Sequence, residues 1–222
     1  MKIVPFISNN SKFSRRKAQE LVKTGHVRVN GKRPQLNQNV NSEDEVKVDG
    51  HVVAQTINKT FLVYKPKGVV STTSDEHKRE TVLDLIPKQD IRLYPVGRLD
   101  IESKGLMILT SDGDFAQKYT HPSNEIKKTY KVTLERQLPV SVVEKLKKGL
   151  KLKDGLAKPD KVTVLQNGKA GCTLEITLHE GKNREIRRML GKLGFKVLEL
   201  ERIKMGEYSL EDLGGKKWVE IN

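Results

Sequence analysis

The chain has 222 residues, with 42 Lys+Arg against 28 Asp+Glu and a formal net charge of +14. That length suits one or two domains with a sizeable core. No run of about 18 apolar residues exists, which excludes a transmembrane helix, and the single cysteine, Cys172, excludes an internal disulfide or a cysteine-rich zinc module. The opening stretch MKIVPFISNNSKFSRR lacks the apolar core and small-residue cleavage site of a secretory signal. A soluble cytoplasmic protein with a polyanionic partner is the expectation, although charge alone names neither the partner nor the fold.

The excess charge is uneven. Residues 1–40 hold nine Lys/Arg and one acid, Glu20, whereas residues 41–56 hold four acids and one Lys. A cluster of this density predicts an RNA or DNA surface. The competing reading, a membrane-surface helix, needs aromatic anchors, and this segment offers only Phe6 and Phe13. Ser14 can cap a helix running to Thr24, in which Ala18, Leu21 and Val22 make one apolar stripe and Gly25 is the stop. Arg15, Arg16 and Lys17 crowd the first turn, where the helix dipole disfavours cations, a misfit that points to a ligand. His26–Val29 alternates as a strand, Asn30-Gly31 is a hairpin turn, and Lys32 and Arg33 begin the expected return strand. A further strand, Glu45–Val48, ends at Asp49-Gly50. The expectation is a helix-plus-hairpin module over residues 1–55, with Lys12, Arg15, Arg16, Lys17, Lys23, Arg28, Lys32 and Arg33 as its RNA contacts.

The stretch SRRKAQELVKTGHVRVNGKRPQ resembles the small RNA-binding domain named after a ribosomal small-subunit protein, in which a helix and the hairpin after it grip structured RNA. The opening MKIVPFISNN departs from that domain's leucine-rich first helix.

His51–Lys59 has no strong period and reads as connecting chain, with the linker proper at 56–60 and a second domain at 61–222. Phe61–Tyr64 is a short apolar strand stopped by Lys65-Pro66-Lys67-Gly68. Helices are expected at Thr81–Ile86, Phe115–Thr120, Ser141–Leu150 and Asn183–Leu193. Strands are expected at Leu93–Val96, Gly105–Thr110, Lys128–Leu134, Lys161–Leu165, Cys172–Leu178, Val197–Ile203 and Trp218–Ile221. Frequent strands without strict helix alternation predict an α+β fold with a mainly antiparallel sheet flanked by helices.

Several chemistries are unsupported. There is no phosphate-cradling G-x-x-x-x-G-K-[ST], no G-x-S-x-G nucleophile elbow, no metal-ligand spacing among the five histidines, and Asp112-Gly113-Asp114 is too short for a calcium loop. What remains is Gly97–Gly105, GRLDIESKG, a polar segment between two apolar strands. On pattern alone it reads as a charged loop with a surface pair, Arg98–Asp100 or Glu102–Lys104. The functional alternative is a carboxylate held in a positive cleft that faces a polyanion. A second constellation, Glu180–Arg188, puts five Lys/Arg between Lys182 and Lys192 against one acid. Ile186, Met189, Leu190 and Leu193 make its buried stripe, so the cations spread around the helix and cannot all enter one cleft.

GRLDIESKGLMILTSDGDFA resembles the catalytic motif of pseudouridine synthases that modify ribosomal RNA and carry the RNA-binding module above. YKPKGVVSTTSD at Tyr64–Asp75, HPSNEIKKTYKV at His121–Val132 and EGKNREIRRML at Glu180–Leu190 resemble that branch's other motifs, in order. The resemblance implies that Asp100 is the essential aspartate, that Arg98 helps take the target uridine out of the stack, and that Tyr130 stacks on the extruded base and is a candidate for proton transfer. It implies a basic partner for Asp100 from the last motif, Lys182 by preference with Arg187 as the alternative. Arg184 and Arg188 fall to phosphate binding, and Leu190 or Ile186 to packing beneath the base. Isomerising uridine to pseudouridine is redox-neutral and needs neither cofactor nor metal. The expected partner is ribosomal RNA, within assembling subunits or free, with no membrane and a monomeric enzyme. The runner-up is a non-catalytic RNA-binding or ribosome-assembly factor. A basic DNA-binding protein is the third reading, and it lacks a helix-turn-helix or zinc module.

Overall fold

Residues 1–221 are described by a computed structural model of the chain. The N-terminal module opens with α1 (Ile3–Asn9), whose Ile3, Val4, Phe6 and Ile7 are buried against Ala18, Leu21 and Val22 of α2 (Arg15–Thr24). The unusual opening therefore still makes a first helix, with Ile, Val and Phe supplying the apolar face. Ser14 caps α2 by accepting the Lys17 amide at 3.1 Å, and Gly25 ends it at φ 84°, a conformation that glycine adopts without side-chain strain.

The strands of this module differ from the expected hairpin. Asn30-Gly31 does turn the chain, and Val29 and Lys32 exchange backbone hydrogen bonds at 2.9 and 3.0 Å. The return strand stops there, because Pro34 has no N–H to extend a ladder. β1 (Val27–Val29) pairs instead with β2 (Val46–Val48), in register Val27 to Val48, and β3 (His51–Val52) adds a third strand where connecting chain was expected. The chain then crosses to the second domain, with the Thr56 amide and hydroxyl both donating to Asn10 Oδ1 at 2.7 and 3.1 Å.

The large sheet is built from β4 (Thr60–Lys65), β5 (Tyr94–Pro95), β6 (Lys104–Thr110), β7 (Lys128–Leu134), a hairpin of β8 (Leu150–Leu152) and β9 (Gly155–Ala157) that stands apart from it, β10 (Lys161–Gly168), β11 (Gly171–Leu178), β12 (Val197–Met205), β13 (Tyr208–Ser209) and β14 (Trp218–Ile221). Its order is β10-β11-β7-β12-β6-β4-β14, with β5 on β6 and β13 on β12. Helices α3 (Gly113–Thr120), α4 (Val140–Lys148) and α5 (Glu185–Lys192) complete an α+β fold. The expected helix at Thr81–Ile86 is a single 3-10 turn, Val82–Leu85, closed by a Thr81–Asp84 capping box. The helix expected to reach Leu150 ends at Lys148, where Gly149 turns the chain into β8.

β6 explains its unbroken apolar run. Met107 and Leu109 face one core with Phe61 and Val63, whereas Leu106 and Ile108 face another with Leu62, Tyr119 and Met205. A strand covered on both sides has no polar face to show. A third core packs Ile186, Met189 and Leu190 of α5 against Val132, Leu134, Leu174 and Ile176.

Among the described residues, every pairing in the large sheet is antiparallel except one. β12 runs parallel to β6, matching Glu201 with Lys104 and Arg202 with Gly105. The seam is tight: a Cβ on Gly105, whose φ is 113°, would lie 2.3 Å from the Arg202 carbonyl oxygen and 2.6 Å from its nitrogen. The glycine that closes GRLDIESKG is thus what lets β12 approach β6.

Candidate active site

The loop carrying Asp100 leaves Val96 and re-enters the sheet at Lys104. Three residues of the Tyr64–Asp75 stretch brace it. The Ser71 hydroxyl donates to the Leu99 carbonyl at 2.8 Å and accepts the Leu99 amide at 3.1 Å. The Gly68 amide donates to the Ile101 carbonyl at 2.8 Å. Lys65, fully buried at the end of β4, donates from Nζ to the Ser103 carbonyl at 2.7 Å and the Pro66 carbonyl at 3.0 Å. A buried ammonium without a contacting carboxylate is costly. Its pKa accordingly falls to about 8, chiefly through burial, with the negative charge of Asp100 opposing and the positive charge of Arg202 adding.

The braced loop opens onto a cavity of about 350 Å³ lined by Arg98, Leu99, Asp100, Ser103, Tyr130, Leu178, Glu185, Ile186 and the turn Glu180–Arg184. Asp100 is 27% exposed at its side chain, and the nearest cation is Arg184, with Nη1 3.6 Å from Asp100 Oδ2. Arg184 also meets Glu102 at 2.9 Å, holding the Glu102 carboxyl below its usual range. The Arg98 guanidinium is exposed, and among the described residues it has no ion pair; it borders this cavity and two neighbouring ones. Two buried polar atoms lining the cavity have no protein partner, Ser103 Oγ and Glu185 Oε1, and burial raises the Glu185 carboxyl. The walls are largely polar and charged, with Leu99, Leu178, Ile186, Leu200 and the Tyr130 ring as the apolar surface a base could lie against.

Residues 59–192 match the family described as RNA pseudouridylate synthase, and residues 11–46 match the S4 domain. The chain is 40% identical over 205 residues to a ribosomal large subunit pseudouridine synthase B of Bacillus subtilis, covering 91% of this chain and 83% of the relative. It is 33% identical to a protein of the same name in Vibrio cholerae, covering 94% and 68%. Among solved structures, a pseudouridylate synthase superposes with a TM-score of 0.68 at 25% identity over 100% of this chain and 96% of that one. The chain belongs to the RNA pseudouridine synthase family. Family membership makes it an isomerase with an S4 RNA-binding domain, and it sets aside the non-catalytic alternative.

Within this pseudouridine synthase the structure brings together Asp100, Arg98, Tyr130 and Lys182, but it redistributes the cations of the Glu180–Leu190 stretch. Lys182 does not meet Asp100: its Nζ is taken by Glu180 at 2.6 Å and the Leu156 carbonyl at 2.6 Å. Arg187 lies behind the cavity, donating to the carbonyls of Val197 at 3.2 Å and Glu102 at 3.5 Å, and burial lowers its pKa. The reason is the start of α5. The helix begins at Glu185, two residues later than expected, and Arg184 precedes it in the left-handed region at φ 48°, which turns its side chain back over the Asp100 loop. Arg188, expected on phosphate, instead makes a two-bond pair with Asp154 at 2.8 and 2.8 Å and ties the β8–β9 hairpin to α5. Ile186 lines the cavity, whereas Leu190 is fully buried in the core below. The charged-loop pairs do not form either: Lys104 pairs with Glu199 at 2.9 Å and Arg98 stays free of Asp100.

Sequence reasoning passed over Lys65, Ser71 and Glu185. The available signal for Lys65 was a lysine at the end of the apolar strand Phe61–Tyr64, a position where alternation puts a side chain inside. In the S4 module, Lys12, Arg15, Arg16, Lys23 and Lys32 are free of ion pairs among the described residues, while Lys17 pairs with Glu20 at 2.7 Å. Arg28 and Arg33 serve α2, donating to the Gly25 carbonyl at 2.7 Å and the Lys23 carbonyl at 2.7 Å. No group of three or more His, Cys, Asp or Glu able to hold a metal occurs among the described residues, and none of the helices is long and apolar enough to cross a membrane.

Proposed function

We propose that the chain converts a specific uridine of large-subunit ribosomal RNA to pseudouridine, with Asp100 acting on a uridine turned out of the stack. The observation that carries this reading is the placement of the Asp100 carboxylate, on a triply braced loop, inside a cavity that also presents the Tyr130 ring. A protein that only binds RNA has no use for a carboxylate at the centre of its RNA cleft, since it repels phosphate. The names of the relatives in Bacillus subtilis and Vibrio cholerae support large-subunit RNA as the substrate.

The reaction breaks the N1–C1′ bond, rotates the uracil and joins C5 to C1′; the C5 proton is lost, N1 regains a proton, and the product is an isomer. Unstacking the base costs a few kcal/mol. Stacking on Tyr130 returns about 1–3 kcal/mol, and Arg98, exposed and unpaired beside the cavity, is placed to fill the gap left in the helix. Asp100 acts at the sugar as nucleophile or proton acceptor, two roles with the same geometric need. The S4 module, through Lys12, Arg15, Arg16, Lys23 and Lys32, anchors the RNA by its phosphates, and the enzyme works as a cytoplasmic monomer.

The test is Asp100→Asn. Nucleoside analysis of large-subunit RNA incubated with the variant should give no pseudouridine, while RNA affinity at fixed salt and the unfolding midpoint stay close to wild type. Full activity of Asp100→Asn overturns the assignment. Mapping pseudouridines with and without the wild-type protein identifies the target.

A further inference from the structure

Beyond Tyr130 lies a second cavity, of about 590 Å³, bordered by Arg98, Tyr119, Thr120, Lys128, Tyr130, Lys182, Arg202 and Met205 among others. Its cationic wall follows from strand register. Tyr130 stands opposite Arg202 and Lys128 opposite Met205 on the paired strands β7 and β12. Lys128 and Tyr130 are two residues apart and so share a face. The bulge between Arg202 and Lys204 adds one residue to β12, which restores Met205 to the side that Arg202 occupies.

Two features of this wall are unusual for structural cations. Arg202 is 2% exposed, yet among the described residues its only protein acceptors are the Leu106 carbonyl, 2.8 Å from Nε, and the Met107 thioether sulfur, 2.8 Å from Nη2. Lys128 donates to the His179 carbonyl at 3.1 Å. Among the described residues neither cation has a carboxylate within 4.0 Å. Buried charges are ordinarily paired, because leaving one unpaired in a low dielectric is costly. Here two lie close enough to repel: burial and then the field of Arg202 lower the Lys128 pKa, and Arg202 acts likewise on Lys65. Two acids border the cavity: Glu180 is bound to Lys182 at 2.6 Å and Glu125 is exposed, and neither pairs with Lys128 or Arg202. An arrangement that repels itself when empty and is walled by donors is complementary to an anion.

We propose that this cavity is a phosphodiester-binding site, in which Lys128 and Arg202 hold the backbone phosphate next to the target uridine. The proposal rests on the reading of the Asp100 cavity as the uridine pocket. The two cavities share Arg98, Tyr130, Glu180, Gly181 and Lys182, so a strand whose base enters against Tyr130 continues directly into the second one. A phosphate fixed there sets how far the sugar advances toward Asp100, and it does so without reading any base.

The experiment uses the full-length protein and a short large-subunit RNA hairpin that it binds, scored for pseudouridine at the target uridine by nucleoside analysis. Each phosphate flanking the target is replaced in turn by a neutral methylphosphonate, and binding is measured for wild type, Lys128→Met and Lys128→Arg. For wild type, one methylphosphonate position is expected to weaken binding about tenfold, the worth of one charge-assisted contact. Lys128→Met is expected to bind the unmodified hairpin about tenfold more weakly, to lose no further affinity at that one position, and to reduce the salt slope of log K by about one. Lys128→Arg is expected to restore the wild-type sensitivity, which a loss of packing would not allow. Additive effects of Lys128→Met and the methylphosphonate at every position, or unchanged binding by Lys128→Met, overturn the proposal. A position-specific coupling found in RNA whose uridine is not isomerised would keep the phosphate site and reject the uridine pocket.

Discussion

Arg184 Nη1 stands 3.6 Å from Asp100 Oδ2, and the residue that places it there has a left-handed backbone at φ 48°. A non-glycine residue in that region carries about 1 kcal/mol of strain. Its exposed ion pairs with Asp100 and Glu102 return only a fraction of that. Strain retained next to the carboxylate proposed to react is better explained by the guanidinium than by stability. Arg184→Gly is therefore expected to raise the unfolding free energy by up to about 1 kcal/mol while lowering product formation at saturating RNA by about tenfold or more. Urea titration and single-turnover nucleoside analysis of the same preparation check both halves, and parallel loss of stability and activity would refute the separation.

Lys65 gives the protein a pH signature. Its pKa is about 8 in the folded chain, against 10.5 ordinarily. Below about pH 8 both states carry the ammonium and the folded one bears the cost of burying it, at most about 3 kcal/mol. Between about pH 8 and pH 10.5 the folded state sheds the proton first, the unfolded chain binds more protons, and the contribution of this group to stability rises with pH. In Lys65→Met that rise is absent. Urea midpoints of the two proteins measured from about pH 7.5 to pH 10 should diverge in favour of wild type, and parallel curves would show that the buried amine does not titrate there.

The S4 module separates cations that touch only solvent from those that hold the fold. Arg16→Gln and Lys32→Gln are each expected to reduce the salt slope of RNA binding by about one with stability unchanged. Arg33→Gln is expected to cost about 1 kcal/mol of stability as well, because its guanidinium satisfies the Lys23 carbonyl in the last turn of α2. Binding titrations at several salt concentrations, paired with thermal unfolding, distinguish the two classes.

Gly105→Ala should be among the most damaging single methyl additions in the chain. The new carbon would sit 2.3 Å from the Arg202 carbonyl oxygen, so the β6–β12 seam must open, at a cost of about 4 kcal/mol or more. Gly168→Ala, where the added carbon meets open space, is expected to stay within about 0.5 kcal/mol of wild type. Comparable losses from the two substitutions would mean that the seam is looser than its distances imply.

Local physics was readable in the sequence where one face decided the outcome. The stripe Ala18-Leu21-Val22 with its Ser14 cap, the alternation of Lys128–Leu134 and the double-sided run of β6 all stand where pattern puts them. What escaped depended on contacts far along the chain. β1 takes its partner from β2, because a proline ends the nearer candidate. The β8–β9 hairpin was passed over, with only its first residue, Leu150, taken into the tail of α4, since a ribbon of three-residue strands has too short a pattern to read. At the site the residue types were legible and their pairings were not. Lys182 and Arg184 are two positions apart and equally charged, and only the left-handed turn at Arg184, a tertiary outcome, decides which of them faces Asp100. Lys65 was hidden for a similar reason, since a lysine is assigned to solvent unless a carbonyl such as that of Ser103 is known to await it.

The order β6-β4-β14 gives β4 one early neighbour and one very late one. While the polypeptide is being synthesised, Phe61–Val63 can pair with β6 soon after emergence, but their outer edge stays bare until Trp218–Ile221 arrive. An apolar strand with an open edge recruits strands from other chains. Nascent molecules stalled or truncated before Trp218 would therefore be sticky as well as incomplete, so that Trp218–Ile221 act as an aggregation guard for strands made at the domain's beginning.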